Sequence, residues 1–482
     1  MNRRGQTWRP LAVATVIAVT GLTPAGAAWG QTIGSARLAA ATQHLSQAIQ
    51  IPTVSYDPGR PGSEAPFVAF RDFLAQAYPN AARRLNREVS PGGALLFTWT
   101  GSRPTSAPLI FIAHQDVVPI AESSRRQWRH PPFGGEIAEG YVWGRGAIDM
   151  KSQLVAIMES VEDLARRGFT PERTIYLVFD NDEETAGSGA LRIARLLEAR
   201  KVHAEMALDE GPGALDRFEL TGRRDAFIGV AEKGYGTLVL SARERGGHSS
   251  VPALHPAIER LARGVIAVRS VRMPRRVDGL TRQTLEALAP ELPAVTSLAI
   301  RNLWLTEPLV RAGLEREAAT DALIGTTIAP TMLAGSAAEN VSPDLATATF
   351  NLRFHPRDRP DAVMAKVRAR ISSIPGLEAA WASPPTPASP VSSTHSPGYA
   401  LIADQARKVF GDVAVTPLLV FGATDSRFFQ AAAAQTYRFQ PIVVTASDME
   451  TVHGVNERLS IANIERSVRF FDSFIPMASK SP

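Results

Sequence analysis

Between residues 109 and 211 the chain repeats one pattern. A short apolar run ends abruptly in polar or acidic residues, and a stretch with helical spacing follows. LIFIAHQD, TIYLVFD and EMALDEG are the apolar runs; MKSQLVAIMESVEDLARRG, closed by Gly168, and SGALRIARLLEARK are the helical stretches. Runs of this length read as strands buried on both faces, and their alternation with helices argues for a mostly parallel sheet flanked by helices. Helices are also expected from Leu38 to Ile51, from Phe67 to Ala77, at YALIADQARKVF and at IANIERSVRFFDSFI.

At 482 residues the chain exceeds one ordinary core. A second unit is legible where the order changes, over residues 235–385. TLVLSA, HPAIERLARGVIAVRS, TTIAPTML, ATATFNLRF, RPDAVMAKVRARISSI and LEAAWA give strand, helix, strand, strand, helix, strand. That is the split βαβ order of a ferredoxin-like module. A helical insertion lies within it at about 278–325, and SPPTPASP leads out of it. The expected organisation is an α/β domain built from residues 31–234 and 386–482, interrupted by an inserted α+β module. Leu and Trp residues of IRNLWLTEPLVRAG in the insertion either line an apolar pocket or pack as ordinary core.

The first thirty residues carry Arg3, Arg4 and Arg9, then LAVATVIAVTGL, then small residues around Ala25–Gly30. This is the order of a secretory signal, so export to a periplasm or the exterior is expected, with an uncleaved N-terminal anchor as the alternative. Arg3-Arg4 also fits a twin-arginine signal. Removing the segment lowers the formal net charge from +5 to +2, so the basic balance gives no reason to expect a nucleic-acid partner. Nor is stable membrane association expected once the signal is cleaved. There is no cysteine. Any metal must be held by His, Asp and Glu.

VFDNDEETAGSGA places Asp180, Asp182, Glu183 and Glu184 at the end of an apparent buried strand. These acids must face water or surround a cation. His114 and Asp116, Asp149 in GRGAIDMK, Asp209 and Glu210, and His453 in ETVHGVNERLS fall at other strand ends or loops. Ligands of open α/β sheets gather beyond the carboxyl ends of the strands. His and carboxylate donors there suit a hard or borderline divalent ion such as zinc. Asp116 is spaced to orient His114, and adjacent Glu183 and Glu184 can divide between a metal and a bound water. Each motif also has a plainer reading taken singly. The acids suit a solvated helix N-terminus, GGHSS a serine-capped turn, and Arg353 an outward strand position.

Together, AHQDVVP, GRGAIDMKSQL, DNDEETAGSGA, LDEG, GGHSS and the late His453 resemble the M20 family of di-zinc metallopeptidases, in its carboxypeptidase S and N-acyl amino acid hydrolase/synthase branch. The resemblance implies a zinc-peptidase catalytic domain with a lid or dimerisation module. It implies two Zn²⁺ per subunit, or Co²⁺ or Mn²⁺, held by His114, Asp149, Glu184, Asp209 and His453, with Asp149 bridging. Asp116 would orient His114, and Glu183 would take the proton of the attacking water and pass it to the leaving nitrogen. His248, from the partner of a homodimer, would hydrogen-bond the oxyanion. Asn340, Arg353, Thr424, Asp425 and Arg427 match substrate-binding positions.

The implied substrate is a small molecule with an amide next to a free carboxylate. It is a peptide C-terminus or an N-acyl amino acid, fatty-acyl ones included, and the second reaction is potentially reversible. Two other classes stay open: a non-catalytic, metal-stabilised binding domain of the same fold, and a di-metal phosphatase.

Overall fold

The computed structural model describes residues 33–56, 63–185 and 187–481. The expected export signal, residues 1–30, lies outside them. Among the described residues no helix is long and apolar enough to cross a membrane.

The three apolar runs form the centre of a large sheet. Leu109–His114 lies between Ile175–Asp180 and Ala204–Asp209 and is parallel to both. All three are almost wholly buried, as a parallel sheet covered on both faces requires. The sheet as a whole is mixed. On one side Ile175–Asp180 is followed by the hairpin of Leu95–Trp99 and Asn86–Val89, where every pairing is antiparallel. On the other side Ala433–Arg438, which follows the inserted module in sequence, lies between Ala204–Asp209 and Asp225–Glu232. Beyond Asp225–Glu232 come Ala214–Leu215 and Val443–Val444, and Ala414–Val420 pairs with Asp225–Glu232 in parallel.

Helix Lys151–Arg166 is buried on nearly every side over its first eleven residues. It packs between Ser35–Gln50 and Ile461–Ala478 against the sheet. Gly168 ends it in a left-handed conformation, φ 74, with Phe169 N–H bonded back to Leu164 O at 2.9 Å. Ser188–Ala199 covers the other face through Ala190, Ile193, Ala194 and Leu197.

A separate four-stranded antiparallel sheet has the order Thr327–Ala334, Leu345–Phe354, Gly234–Arg243, Leu377–Trp381. With helices Ala257–Arg269 and Pro360–Ile371 on it, this is ferredoxin-like topology. Alternating burial along Leu345–Phe354 puts Ala346, Ala348, Phe350, Leu352 and Phe354 inside. The two chain passages joining this sheet to the large one lie side by side. Ser389 Oγ accepts from Glu232 N at 2.8 Å, and Tyr235 and Thr386 exchange backbone hydrogen bonds of 2.9 Å. Gly234 sits against the backbone of residues 386–388, where a Cβ would have no room. SPPTPASP is therefore pinned to the crossover rather than a loose linker.

In the helical insertion, Gly279–Leu288 packs on Ala414–Val420, with Thr284 Oγ1 donating to Pro417 O at 2.7 Å. Val277, Leu285, Ala289, Ile300 and Leu303 make its small core. Trp304, Leu305 and Leu309 do not join that core; they are 80%, 66% and 73% exposed. Helix Leu303–Leu314 turns Leu303, Val310 and Leu314 inward, and its periodicity leaves the other three facing out.

Candidate metal and catalytic site

The parallel strands deliver their polar ends to one edge, and the four acids of residues 180–184 part company there. Asp182 accepts from Ser188 Oγ and, at 2.8 Å, from Gly189 N, so it caps helix Ser188–Ala199. Asp180 is fully buried, neither of its side-chain oxygens has a hydrogen-bond partner among the described residues, and it lies close enough to Asp425 for their charges to interact. Burial and the nearby Asp182 and Asp116 push Asp180 up to about 8. Glu183 and Glu184 turn into a cluster with His114, Asp149, Glu210 and His453.

Asp149 is the centre of that cluster. Its Oδ1 lies 3.0 Å from His114 Nε2 and its Oδ2 3.1 Å from His453 Nε2. On the His114 side, Glu210 Oε1 is 3.6 Å from Nε2. On the His453 side, Glu184 Oε2 is 3.0 Å from Nε2. Two donor groups thus share one carboxylate. Glu183 stands with Glu210 beside His114. Burial, then Glu210, Glu184 and Asp149, hold the Glu183 carboxyl well above its usual range. His453 is pushed up to about 10 by Asp149 and Glu184, and it adopts the left-handed φ of 59, uncommon for a residue with a side chain.

Surrounding residues fix these ligating atoms. Asp116, fully buried, accepts from Glu183 N and Glu184 N at 3.3 Å each, and its Oδ1 is 3.4 Å from His114 Nδ1. It therefore holds the backbone of both glutamates as well as sitting behind the imidazole. Glu457 does the same for the GRGAID loop. Its Oε1 accepts from Gly146 N, Ile148 N and Asp149 N at 2.9–3.1 Å, and its Oε2 pairs with Arg145 at 2.6 Å.

Asp209, expected in the ligand set, is turned away. Its Oδ2 accepts from Ser426 N at 2.7 Å and its Oδ1 from Glu210 N at 2.8 Å. Glu210 takes the place at the cluster, because successive side chains at a strand end point to opposite sides. LDEG offered both acids, and only the register of the strand chooses between them.

The expected substrate residues also divide. Thr424 is buried, and its N–H and hydroxyl both donate to Glu232 Oε1, at 2.8 and 2.5 Å. Asp425 is buried against Asp180, and burial followed by Asp180, Glu183 and Asp209 raises its carboxyl well above the usual range. Thr424 is thus engaged within the protein, whereas both carboxylate oxygens of Asp425 are buried without a hydrogen-bond partner among the described residues. Arg427 is different: its guanidinium lies over Phe428, 4.5 Å from the ring centroid, and beside Gly187. Arg353 stacks over Tyr235 at 4.9 Å and is close enough to Arg427 to feel its charge. Burial, with Arg427, lowers its pKa. Lys233, missed in the sequence, joins this basic region and falls to about 7 through burial and the charges of Arg275 and Arg353.

His248 and Asn340 are exposed neighbours on a two-stranded ribbon of the module, where Ser249 N donates to Asn340 O at 3.0 Å. His248 Nδ1 accepts from Ser250 N, and neither residue bonds to the Asp149 cluster within this chain.

Two imidazoles and four carboxylates suit two divalent cations. One oxygen of Asp149 faces each histidine, and Glu184 Oε1 is a buried acceptor with no donor. The donor set fits metal.

Comparison with known proteins agrees. The family description Peptidase family M20/M25/M40 matches residues 110–476. The N-fatty-acyl-amino acid synthase/hydrolase of Homo sapiens is 34% identical over 440 residues, covering 90% of this chain and 87% of that protein. A probable carboxypeptidase S-like protein of Dictyostelium discoideum is 33% identical, covering 91% and 85%. Among solved structures, the M20 family metallo-carboxypeptidase of Sulfolobus solfataricus superposes with a TM-score of 0.65 at 18% identity, covering 91% of this chain and 99% of that one. This last likeness shows the fold. Sequence match and coverage together show that the chain belongs to peptidase family M20/M25/M40 and is a metallohydrolase of that family.

Proposed function

We propose that the protein is an exported di-zinc enzyme that hydrolyses the amide of an N-acyl amino acid, fatty-acyl substrates included, or of a peptide C-terminus. The observation that carries this reading is Asp149 with one oxygen toward each histidine and the buried Glu183 alongside. His114 and Glu210 would hold one ion, His453 and Glu184 the other, and Asp149 both. Zinc bound there supplies Lewis acidity toward the substrate carbonyl and toward water.

Each remaining step belongs to the chain's own residues. Glu183, kept basic enough by burial among carboxylates, takes a proton from the attacking water and returns it to the leaving nitrogen. Asp116 keeps Glu183 and His114 in register, its carboxylate accepting from Glu183 N and its backbone carbonyl from His114 Nδ1 at 3.0 Å. Arg353, with Arg427, receives the free carboxylate. The synthase/hydrolase name of the human relative supports a reversible reaction.

We infer that residues 235–385 act as a lid and dimerisation module, and that His248 and Asn340 reach the substrate from a partner subunit. Supporting this, Ile258 and Ile266 on helix Ala257–Arg269 and Met332 and Leu333 on the edge strand Thr327–Ala334 are exposed. The test is hydrolysis of N-acyl amino acids and blocked dipeptides by the metal-loaded protein, with metal content and light scattering alongside. Chelator-sensitive release supports the reading. Bound zinc without release from any substrate moves it to a binding domain, and a monomer removes the partner role of His248.

A further inference from the structure

A cavity of about 440 Å³ opens from the Asp149 and Glu210 side of the cluster. Its walls are Ile148, Leu418, Val420, Ile442, Val444 and Met449. Gly211 and Gly213 close one side with bare backbone, since a Cβ on either would strike Arg438 or the carbonyls of Gln440 and Ile442. Two polar side chains also line it, and both are engaged within the protein. Thr424 donates to Glu232, and Gln440 Nε2 donates to Ile148 O at 2.8 Å. Beyond the cluster the cavity therefore offers apolar surface, aliphatic apart from Phe421, and few free hydrogen-bonding groups. Arg353 and Arg427 lie elsewhere, Arg427 beside Gly187, and neither lines the cavity.

We propose that this cavity is the acyl-chain site, and that Leu418, Val444 and Met449 set the length of chain it accepts. The inference rests on the reading of the adjoining cluster as a hydrolytic centre. With the amide carbonyl at the cluster and the carboxylate on the arginines, the acyl substituent is the part left to enter the cavity. A peptide there would bury backbone N–H and C=O groups without partners, at about 1–3 kcal/mol each, whereas a hydrocarbon chain needs none. The volume is in the range of small-molecule sites and far larger than an acetyl group needs. Exposed Trp304, Leu305 and Leu309 of the insertion take no part, as none of them lines it.

The experiment uses N-acetyl-, N-octanoyl- and N-palmitoyl-phenylalanine with two readouts. The first is kcat/KM of the metal-loaded enzyme. The second is calorimetric binding to the Glu183→Gln protein. Affinity should climb with acyl length by up to about fourfold per methylene until the cavity fills. Leu418→Trp and, at the half-exposed rim, Met449→Trp should lower the palmitoyl-to-acetyl ratio by at least about tenfold in either readout. Met449→Trp guards against a core variant that fails to fold. A wild-type ladder that is flat, or a ratio that neither variant changes, overturns the acyl site. A binding ladder that responds to the variants while the wild type cleaves nothing leaves the site standing and overturns the hydrolase reading instead.

Discussion

Two polar centres of this molecule carry opposite surpluses. At the carboxyl ends of the large sheet, Asp149, Glu183, Glu184 and Glu210 crowd two histidines. At the junction with the module, Lys233, Arg275 and Arg357 crowd His355, and Arg353 adds its charge beside Lys233. Most of the second surplus is answered within the chain. Arg275 makes a two-pronged pair with Asp321 at 2.7 and 2.9 Å, and Arg357 lies 3.0 Å from Asp278. Among the described residues, Arg353 bonds Asn351 and stacks on the Tyr235 ring, and it feels the charge of Arg427. The first surplus is answered, among the described residues, by the two imidazoles. Surplus charge left unanswered by the fold favours a ligand of opposite charge, which is why the proposed function puts metal among the acids and a carboxylate at Arg353.

The sharpest way to test the acid centre is Glu183→Gln. It should lower kcat about a thousandfold with metal content retained, measured by turnover of an N-acyl amino acid beside elemental analysis. At the basic centre, Arg353→Met should raise KM about tenfold to a hundredfold and leave kcat less affected, because a charged hydrogen bond to the substrate is lost. Equal loss in a substrate lacking the carboxylate would break the comparison.

Asp209 and Glu210 sharpen it further. Glu210→Gln should lose metal from the His114 side with little change in the stability of the metal-free chain. Asp209→Asn should retain metal yet cost about 1–3 kcal/mol in urea unfolding, because Ser426 N then loses its charged acceptor. The reverse pattern would restore Asp209 to the ligand set.

The last test, His355→Gln, touches stability alone. Burial, then Arg357, Lys233 and Arg275, lowers His355 to about 3, against 6.5 for an unhindered imidazole. Between those values the unfolded chain binds a proton that the folded chain refuses, so stability falls as pH drops from about 6.5 toward about 3. The variant should lose less stability than the wild type between neutral pH and about 4, read as urea midpoints at both values.

Much of the catalytic architecture was legible because it depends on local order. The three strand runs ending in acids, the helix closed at Gly168 and the split βαβ order of the module follow from periodicity and turn residues acting over a few positions. The joint order of His114, Asp149, Glu183, Glu184 and His453 pointed to metal, and the fold brings those residues together. What escaped were choices made by distant parts of the chain. Glu457, more than three hundred residues from the loop it clamps, carries no local signal of that task. Ala433–Arg438 enters the sheet between two strands that precede the module, and no pattern near residue 433 foretells that position.

The sequence by itself determined the fold class, the ligand chemistry and the absence of any thiol route, since these follow from residue type and short-range spacing. Tertiary structure alone decided that Glu210 rather than Asp209 faces His114. It tied Thr424 to Glu232 and buried Asp425, and it set an apolar cavity beside the cluster. The physical reason is common to all three: a side chain's task depends on which way its backbone turns and on what the remote chain places opposite it.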